Sequence, residues 1–227
     1  MCGRKTLTKD KQHIIKELKI DKWDFQDYEP SYNISPGQDS PILIALKKSK
    51  IVKKMNWGLI PSWSINNSRR GNMINARYET IFDKPSYKNL IKTNRCIILA
   101  DGYYEWSKNQ NNKIANYIHS PNNPLLPIAG LWSTWEYHKK HIYTYTIITI
   151  NARKDIKHIH NRMPLILNKN CIDNWLNNNE IMKSVTLYNG EIAYYPVTSY
   201  VNSTKNNSKK CIEKLHGADT LSLFNNN

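Results

Sequence analysis

The 227-residue chain carries 33 Lys and Arg against 18 Asp and Glu, a net charge of +15. Its length suits one well-buried core and is too short for two large domains. The charge favours an anionic partner such as nucleic acid, although only seven of the 33 are Arg, and the abundance of Lys, Asn and Ile also fits a coding bias without binding. The chain shows neither the apolar region of a signal peptide nor an apolar run of about 20 residues, so we expect a soluble, intracellular protein without membrane contact.

The first predicted helix lies in TLTKDKQHIIKELKI, with Thr8 as its N-cap and apolar residues at helical spacing. The segment PILIALKKSKIVKKMNW predicts two strands joined by a polar turn, the second of them ending at Trp57. The polar segment GNMINARYETIFDKPSYKNLIK is expected to be a loop that leads into one or two short helices.

The rest of the chain predicts mainly strands. RCIILADGYYEW is a strand candidate broken at Asp101-Gly102, where a turn or bulge is expected. The other predicted elements are strands in PLLPIAGLWSTW, IYTYTIITI and IAYYPV, and helices in ARKDIKHIH and in CIDNWLNN, the last capped near Asp173. Strands mixed with short helices indicate an α+β fold with a mixed or barrel-like sheet. We expect one domain over residues 2–216 and a flexible tail over 217–227.

The cysteines and histidines do not form a recognisable metal site. The four cysteines are scattered without a CxxC pair, and His158 with His160 lacks further ligands for a tetrahedral site. We therefore expect no metal, no disulfide framework and no cofactor.

Cys2 follows the initiator methionine directly, and its small side chain permits removal of that methionine. The new terminus would carry an α-amine with a pKa of about 8 beside a thiol with a pKa of about 8.5, both partly nucleophilic near neutral pH. Such a 1,2-aminothiol forms a Schiff base with an aldehyde, and the thiolate then closes a thiazolidine ring. The alternative is that Cys2 is an ordinary thiol.

Three further stretches carry candidate chemistry. In NARYET, Asn75 and Arg77 would point to the same side of an extended segment, an amide beside a phosphate-binding guanidinium. In DGYYEW, the aromatic surroundings of Glu105 should raise its pKa towards the acid/base range. In HIHNRMP, His160 and Arg162 place a proton carrier beside a phosphate ligand. The structural alternatives are a helix cap for Asn75, an ion pair with lysine for Glu105 and a structural histidine for His160.

Aromatic rings near arginines are typical of sites that hold single-stranded nucleic acid by base stacking. Trp57, Trp63 and Trp106 lie within or beside polar, basic loop motifs. Core packing is expected for most tryptophans of the chain, and Trp106, next to Glu105, is the one predicted to lie at the site.

Seven motifs occur together in a fixed order: MCGR, YNISPGQ, WGLIPSW, NARYET, RCIILADGYYEW, IHNRMP and PVTSYVN, across nearly the whole chain to about residue 202. In this combination the sequence resembles the SRAP family, the SOS response-associated peptidases. The resemblance implies a compact α+β domain with a curved, barrel-like sheet and a basic groove. It also implies removal of Met1 by self-processing, and covalent capture of abasic sites in single-stranded DNA through a thiazolidine, which protects the lesion during replication.

The resemblance further implies roles for individual residues. Cys2 would be the nucleophile, Asn75 would place the sugar, Glu105 would be the acid/base group for crosslinking and methionine removal, and His160 would shuttle protons. The implied DNA contacts are Arg4, Arg77 and Arg162 to phosphate, Thr149 as a hydroxyl donor and Trp106 as a stacking surface.

Two features depart from the family pattern. Leu99 stands where the family more usually has proline, and a lysine-rich surface replaces much of the arginine. Lysines offer point charges where arginines offer bidentate forks, so DNA contacts outside the motifs do not transfer.

Three functions are therefore compatible with the sequence. The leading hypothesis is covalent capture of abasic single-stranded DNA by a monomer, with replication-fork proteins as a further class of partner. The second is an N-terminal-nucleophile cysteine peptidase or amidohydrolase with other substrates. The third is a noncatalytic module that binds single-stranded nucleic acid.

Overall fold

The computed structural model describes residues 2–65, 73–109, 112–177 and 187–215. The strands in these ranges are β1 (Lys5–Leu7), β2 (Lys22–Trp23), β3 (Ser31–Ile34), β4 (Asp39–Leu46), β5 (Ser49–Trp57), β6 (Asn75–Arg77), β7 (Arg95–Ile98), β8 (Gly102–Asn109), β9 (Asn112–His119), β10 (Ile128–Tyr137), β11 (Lys140–Asn151), β12 (Arg162–Pro164) and β13 (Ala193–Pro196). The α-helices are α1 (Lys11–Leu18), α2 (Leu90–Thr93) and α3 (Ile172–Asn177). Single 3-10 turns cover Tyr78–Thr80, Lys169–Cys171, Ser199–Asn202 and Lys209–Ile212.

Five strands close into a mixed barrel. The pairs β5–β4, β4–β7, β7–β10 and β10–β11 are antiparallel. β11 then returns to β5 in parallel, with Thr144 opposite Asn56 and Tyr145 opposite Trp57. Closure pairs the sheet edges, and an odd number of strands requires such a parallel pair. The predicted α+β fold with a barrel-like sheet is confirmed.

A second sheet places the N-terminus against this barrel. Its order is β13-β9-β8-β1-β3, so β1 lies between β8 and β3, with Lys5 opposite Tyr103. Cys2 lies three positions before this strand and belongs to the large buried cluster that includes barrel residues. The second sheet therefore holds the N-terminal residues in the interior of the protein.

Both long hairpins of the barrel follow the sequence pattern. The turn between β4 and β5 has positive φ at Lys47 (49°) and Lys48 (71°), and the turn between β10 and β11 has positive φ at His138 (47°) and Lys139 (60°). Two such residues are the requirement of the type I′ turn, whose twist matches paired strands. The predicted strands on either side are confirmed, including the end of β5 at Trp57.

The break predicted at Asp101-Gly102 separates two strands that belong to different sheets. β7 lies in the barrel and β8 in the second sheet. A Cβ at Gly102 would overlap the ring of Tyr117, so the close approach of β9 requires glycine there. The predicted strand β13 and helix α3 are also confirmed, with Asp173 in the first turn of the helix.

Two predictions about helices are wrong. Asp10, and not Thr8, caps α1, because its carboxylate accepts the backbone N–H of His13 at 2.8 Å. Thr8 donates its hydroxyl to Asp101 instead. The segment ARKDIKHIH forms turns, since Ala152 N–H donates to the Asn161 carbonyl (3.0 Å) and closes the segment as a loop between β11 and β12.

The predicted tail 217–227 lies outside the described residues, as does residue 216 at the predicted domain boundary. Among the helices that the structure describes, none has the length and apolar character needed to cross a bilayer.

Lys5 is a fully buried lysine between the two sheets. Its ammonium donates to Ser40 Oγ (2.7 Å) and to the Leu99 carbonyl (3.0 Å), both uncharged. Burial lowers the pKa of Lys5 to about 7. The folded protein therefore holds this proton less tightly than the unfolded chain does.

We predict that Lys5→Met raises the free energy of unfolding more at pH 6.5 than at pH 10. Between about 7 and 10.5, the folded and ordinary pKa values of Lys5, the unfolded chain binds more protons, so wild-type stability should rise with pH in this window. Denaturant unfolding of both proteins across this range measures the difference. The exposed Lys16→Met should keep the wild-type dependence of unfolding free energy on pH. The same dependence in Lys5→Met would contradict the lowered pKa of Lys5.

Candidate active site

Cys2 is docked in the interior by the side-chain amide of Asn75. The Cys2 residue is 0% exposed, and its carbonyl accepts a hydrogen bond from Asn75 Nδ2 at 2.8 Å. The amide is fixed in place because β6 runs parallel to β11, with Asn75 opposite Ile147. Asn75 Oδ1 is buried and has no hydrogen bond to the described residues, so it can accept a hydrogen bond from a ligand. Asn75 lies in a strand and does not cap a helix.

Glu105 lies within electrostatic reach of Cys2. It is 4% exposed and shares a face of β8 with Tyr103. Burial raises the pKa of the Glu105 carboxyl. Burial, followed by the negative charge of Glu105, raises the pKa of the Cys2 thiol to about 12. Burial therefore disfavours the ionised form of both groups, and for the thiol the charge of Glu105 adds to this effect.

His160 is held by the backbone of the residue two positions later. Its Nδ1 accepts the backbone N–H of Arg162 at 2.9 Å, which places the proton of the neutral ring on Nε2. Burial lowers the pKa of His160, so the ring is neutral at physiological pH. His160 thus has a structural contact, as the alternative interpretation expected, and it also keeps a proton on its second nitrogen.

The guanidinium of Arg162 is occupied by protein partners. Nη1 and Nη2 donate to the two carboxylate oxygens of Glu79 at 2.7 and 2.8 Å, and Nη1 also donates to Asn151 Oδ1 at 2.8 Å. Nη2 donates to the Thr149 carbonyl at 2.6 Å as well. A DNA phosphate would have to share these donors, and the predicted phosphate contact of Arg162 stays a prediction.

Arg77 and Thr149 lie opposite each other in the β6–β11 ladder. Arg77 is exposed, whereas Thr149 is fully buried and donates its hydroxyl to the Ala76 carbonyl at 3.4 Å. Arg77 therefore presents its charge to solvent beside the Asn75 amide. The proposed DNA contact of Thr149 needs its hydroxyl to turn away from this carbonyl.

Arg4 and Trp106 form a cation–π pair, with the guanidinium carbon 5.5 Å from the ring centroid. Trp106 is half-buried, so one part of its ring meets solvent. Trp57 is a core residue that stacks on Tyr145, and Trp63 is 56% exposed. The fold thus brings Arg4 and Trp106 together, whereas Trp57 lies in the core and Trp63 is exposed.

Sequence reasoning missed Glu79, Asn151 and Asn33, which hold the predicted arginines. Glu79 had a signal, because it lies in NARYET two positions after Arg77. The ranges that the structure describes contain no group of three or more His, Cys, Asp or Glu side chains that could hold a metal ion.

We predict that Glu105→Gln accelerates alkylation of Cys2 at pH 9. Removing the carboxylate charge should lower the pKa of the thiol, and each pKa unit gives about tenfold more thiolate. Iodoacetamide labelling, quantified on the Cys2 peptide by mass spectrometry, measures the rate in samples with the same N-terminal form. The exposed Glu136→Gln should match wild type, and a slower reaction in Glu105→Gln would count against the assigned electrostatics.

Comparisons with known proteins cover nearly the whole chain. The model of the family described as "SOS response associated peptidase (SRAP)" matches residues 1–204. The abasic site processing protein YoaM of Bacillus subtilis is 37% identical over 222 residues, which cover 94% of this chain and 98% of YoaM. The abasic site processing protein HMCES of Gallus gallus is 34% identical over 223 residues, which cover 82% of this chain and 66% of HMCES.

Solved structures show the same fold. A protein from Bacteroides thetaiotaomicron matches with a TM-score of 0.84 at 24% identity, over 95% of this chain and 100% of that one. A phage-related protein from Bordetella bronchiseptica matches with a TM-score of 0.66 at 26% identity, over 86% and 94%. The resemblance seen in the seven motifs is confirmed, and the chain belongs to the SOS response associated peptidase family.

Proposed function

We propose that this protein processes abasic sites in DNA, and that it captures them covalently in single strands through Cys2. Relatives at 37% and 34% identity are named abasic site processing proteins. The observation that carries the proposal is the docking of Cys2 by the Asn75 amide within reach of the Glu105 carboxyl. The net charge of +15 and the exposed Arg77 support a polyanionic partner.

The first step is hydrolysis of the Met1–Cys2 peptide bond, which frees the α-amine of Cys2. Water adds to the Met1 carbonyl and the amine leaves with a proton, so a group that can accept and return a proton is needed. Glu105 supplies it, because burial raises the pKa of its carboxyl towards that range. The peptidase activity of the proposal is confined to this self-processing.

The second step joins the free amine to the ring-opened aldehyde of the abasic site. The amine attacks the carbonyl carbon, and loss of one water leaves a C=N bond. The departing oxygen must gain a proton, which the Nε2–H of His160 can donate. The Glu105 carboxyl can exchange a proton with the amine nitrogen. The free Oδ1 of Asn75 accepts a hydrogen bond from the amine or the sugar.

The third step closes the thiazolidine. The Cys2 sulfur bonds to the imine carbon, the C=N π electrons move to nitrogen, and the thiol proton is transferred to that nitrogen, so no other reactant is consumed. A thiol with a raised pKa needs a base to release its proton, and the Glu105 carboxylate is the nearby candidate.

We predict that the wild-type protein forms an adduct with an abasic oligonucleotide that survives denaturing electrophoresis. Cys2→Ala should lose the thiazolidine and retain at most a less stable Schiff base, because only the amine is left. Adduct yield after heating distinguishes the two products, and intact mass spectrometry measures the loss of Met1. Cys171→Ala, a buried cysteine elsewhere, should crosslink like wild type.

The alternatives give other results. No stable adduct with wild type, or one unaffected by Cys2→Ala, would refute covalent capture. Turnover of unrelated peptides by the mature protein would favour a general peptidase, and equal affinity for intact and abasic strands without an adduct would favour a noncatalytic binding module.

We predict that His160→Ala slows crosslinking by about 10²-fold, the usual contribution of a positioned acid/base group. Noncovalent affinity for an intact strand should change by less than about twofold, because a proton carrier lowers barriers more than it adds ground-state binding. Single-turnover rates at saturating abasic DNA and anisotropy titrations with intact DNA separate the two effects. The exposed His13→Ala is the control, and lost affinity at an unchanged rate would contradict this role.

A further inference from the structure

Two motifs, YNISPGQ and PVTSYVN, meet in the fold although they are far apart in sequence. Asn33 in β3 is 1% exposed, and its Nδ2 lies within hydrogen-bond distance of three carbonyls of the 199–207 segment: Val201 (3.3 Å), Ser203 (3.0 Å) and Asn206 (2.6 Å). The Asn207 side chain accepts the Tyr32 backbone N–H at 2.7 Å. The segment is therefore fixed along β3.

The other end of the Asn33 amide binds Arg4. Arg4 Nη1 donates to Asn33 Oδ1 at 2.7 Å and to the Val201 carbonyl at 2.7 Å. Asn33 thus joins the N-terminal strand region to the 199–207 segment through a single side chain. Nη2 of Arg4 has no hydrogen bond to the described part of the chain, which leaves this nitrogen for an outside acceptor.

The same segment holds the ring that Arg4 covers. Trp106 Nε1 donates to Asn202 Oδ1 at 2.8 Å, and the Arg4 guanidinium lies over the Trp106 ring. The cation and the ring are therefore fixed relative to each other before any ligand arrives. Binding then costs less conformational entropy than it would with a mobile arginine.

We propose that Asn33 is a positioning residue for DNA, which holds the Arg4 guanidinium with one nitrogen free for a phosphate oxygen. Through the 199–207 segment it also holds Trp106 as a stacking surface for the neighbouring base. The inference rests on the proposed function, since it takes single-stranded DNA as the ligand. It gives the motifs YNISPGQ and PVTSYVN a role in binding.

A double-mutant cycle tests whether Asn33 acts through Arg4. Anisotropy titrations with an intact single-stranded oligonucleotide should show about 5- to 10-fold weaker binding for both Asn33→Ala and Arg4→Ala. The double variant should lose less affinity than the two single losses combined, because the Arg4 contact that Asn33 supports is already absent and only its support of Trp106 remains to be lost. Additive losses would overturn the proposal.

The salt dependence provides a readout that a purely structural role would not change. Loss of one phosphate contact should reduce the slope of log affinity against log salt by about 0.7 for a single strand. Both Arg4→Ala and Asn33→Ala should show this decrease. The matched control is Asn123→Ala, whose amide also bridges a loop by donating to the Tyr188 hydroxyl (2.7 Å) but contacts neither Arg4 nor Trp106. An unchanged slope in Asn33→Ala would count against positioning of Arg4.

A second cycle covers the case in which Asn33→Ala does not fold. Asn202 is exposed, so Asn202→Ala should keep the fold and only release the Trp106 indole. It should weaken binding about threefold without changing the salt slope, and have no effect in a Trp106→Ala background. Independent effects in this cycle would overturn the role of the 199–207 segment.

Noncovalent affinity is measured with intact DNA, which separates this inference from the proposed chemistry. Coupled losses together with no covalent adduct on abasic DNA would refute covalent capture and leave the positioning role. A normal adduct together with additive losses would refute the positioning role alone.

Discussion

The parallel pairing of β11 with β5 closes the barrel, and the placement of the site residues depends on it. The pairing engages Thr144 and Tyr145, so the second half of β11 extends beyond β5 with backbone groups that still need partners. β6 takes one side with Asn75 opposite Ile147, and β12 pairs with residues 149–151. Asn75, Arg77 and Arg162 therefore lie on strands that pair with the same end of β11, because the barrel closes at Thr144 and Tyr145.

The interior position of Cys2 has an electrostatic consequence. A thiol buried beside a carboxyl is a poor nucleophile, because burial and the Glu105 charge both disfavour the thiolate. In the proposed capture of an abasic site, the first nucleophile is therefore the α-amine of Cys2 and not its sulfur. The proposed order is Schiff-base formation first and ring closure second, with the Glu105 carboxylate accepting the thiol proton when the imine is in place.

The sequence predicts those features of the fold that depend on local patterns. The hairpins β4–β5 and β10–β11 follow from apolar alternation and short polar turns, since both strands of each pair are close in sequence. The strand β6 was not predicted, because three residues are too few for a recognisable apolar alternation and the strand is stabilised by the distant β11. The false helix at ARKDIKHIH has the same cause, because the contact between Ala152 and Asn161 overrides local propensity.

In the candidate site as well, the residues can be predicted from local motifs, but their contacts cannot. The residues Cys2, Asn75 and Glu105 could be selected from their motifs, but the hydrogen bond between Cys2 and Asn75 spans 73 positions. Lys5 shows the limit most clearly, because a lysine in a basic chain is expected on the surface and only the two-sheet packing buries it. Pairings over such separations are set by the complete fold.

The three arginines predicted to contact DNA differ in the freedom that the fold leaves their side chains. Arg77 is exposed, Arg4 is held through one nitrogen, and the Arg162 fork is bound to Glu79 on both sides. A phosphate gains most from a charge whose donors are already oriented and still free. Arg4 meets both conditions, whereas Arg77 must first lose side-chain entropy and Arg162 must share its donors with a carboxylate. Arg162 contributes instead through its backbone, whose N–H sets the tautomer of His160. In the proposed function, phosphate binding and proton transfer are therefore assigned to different parts of the same motif set, and the burial of a guanidinium, more than its presence, decides which task it is given.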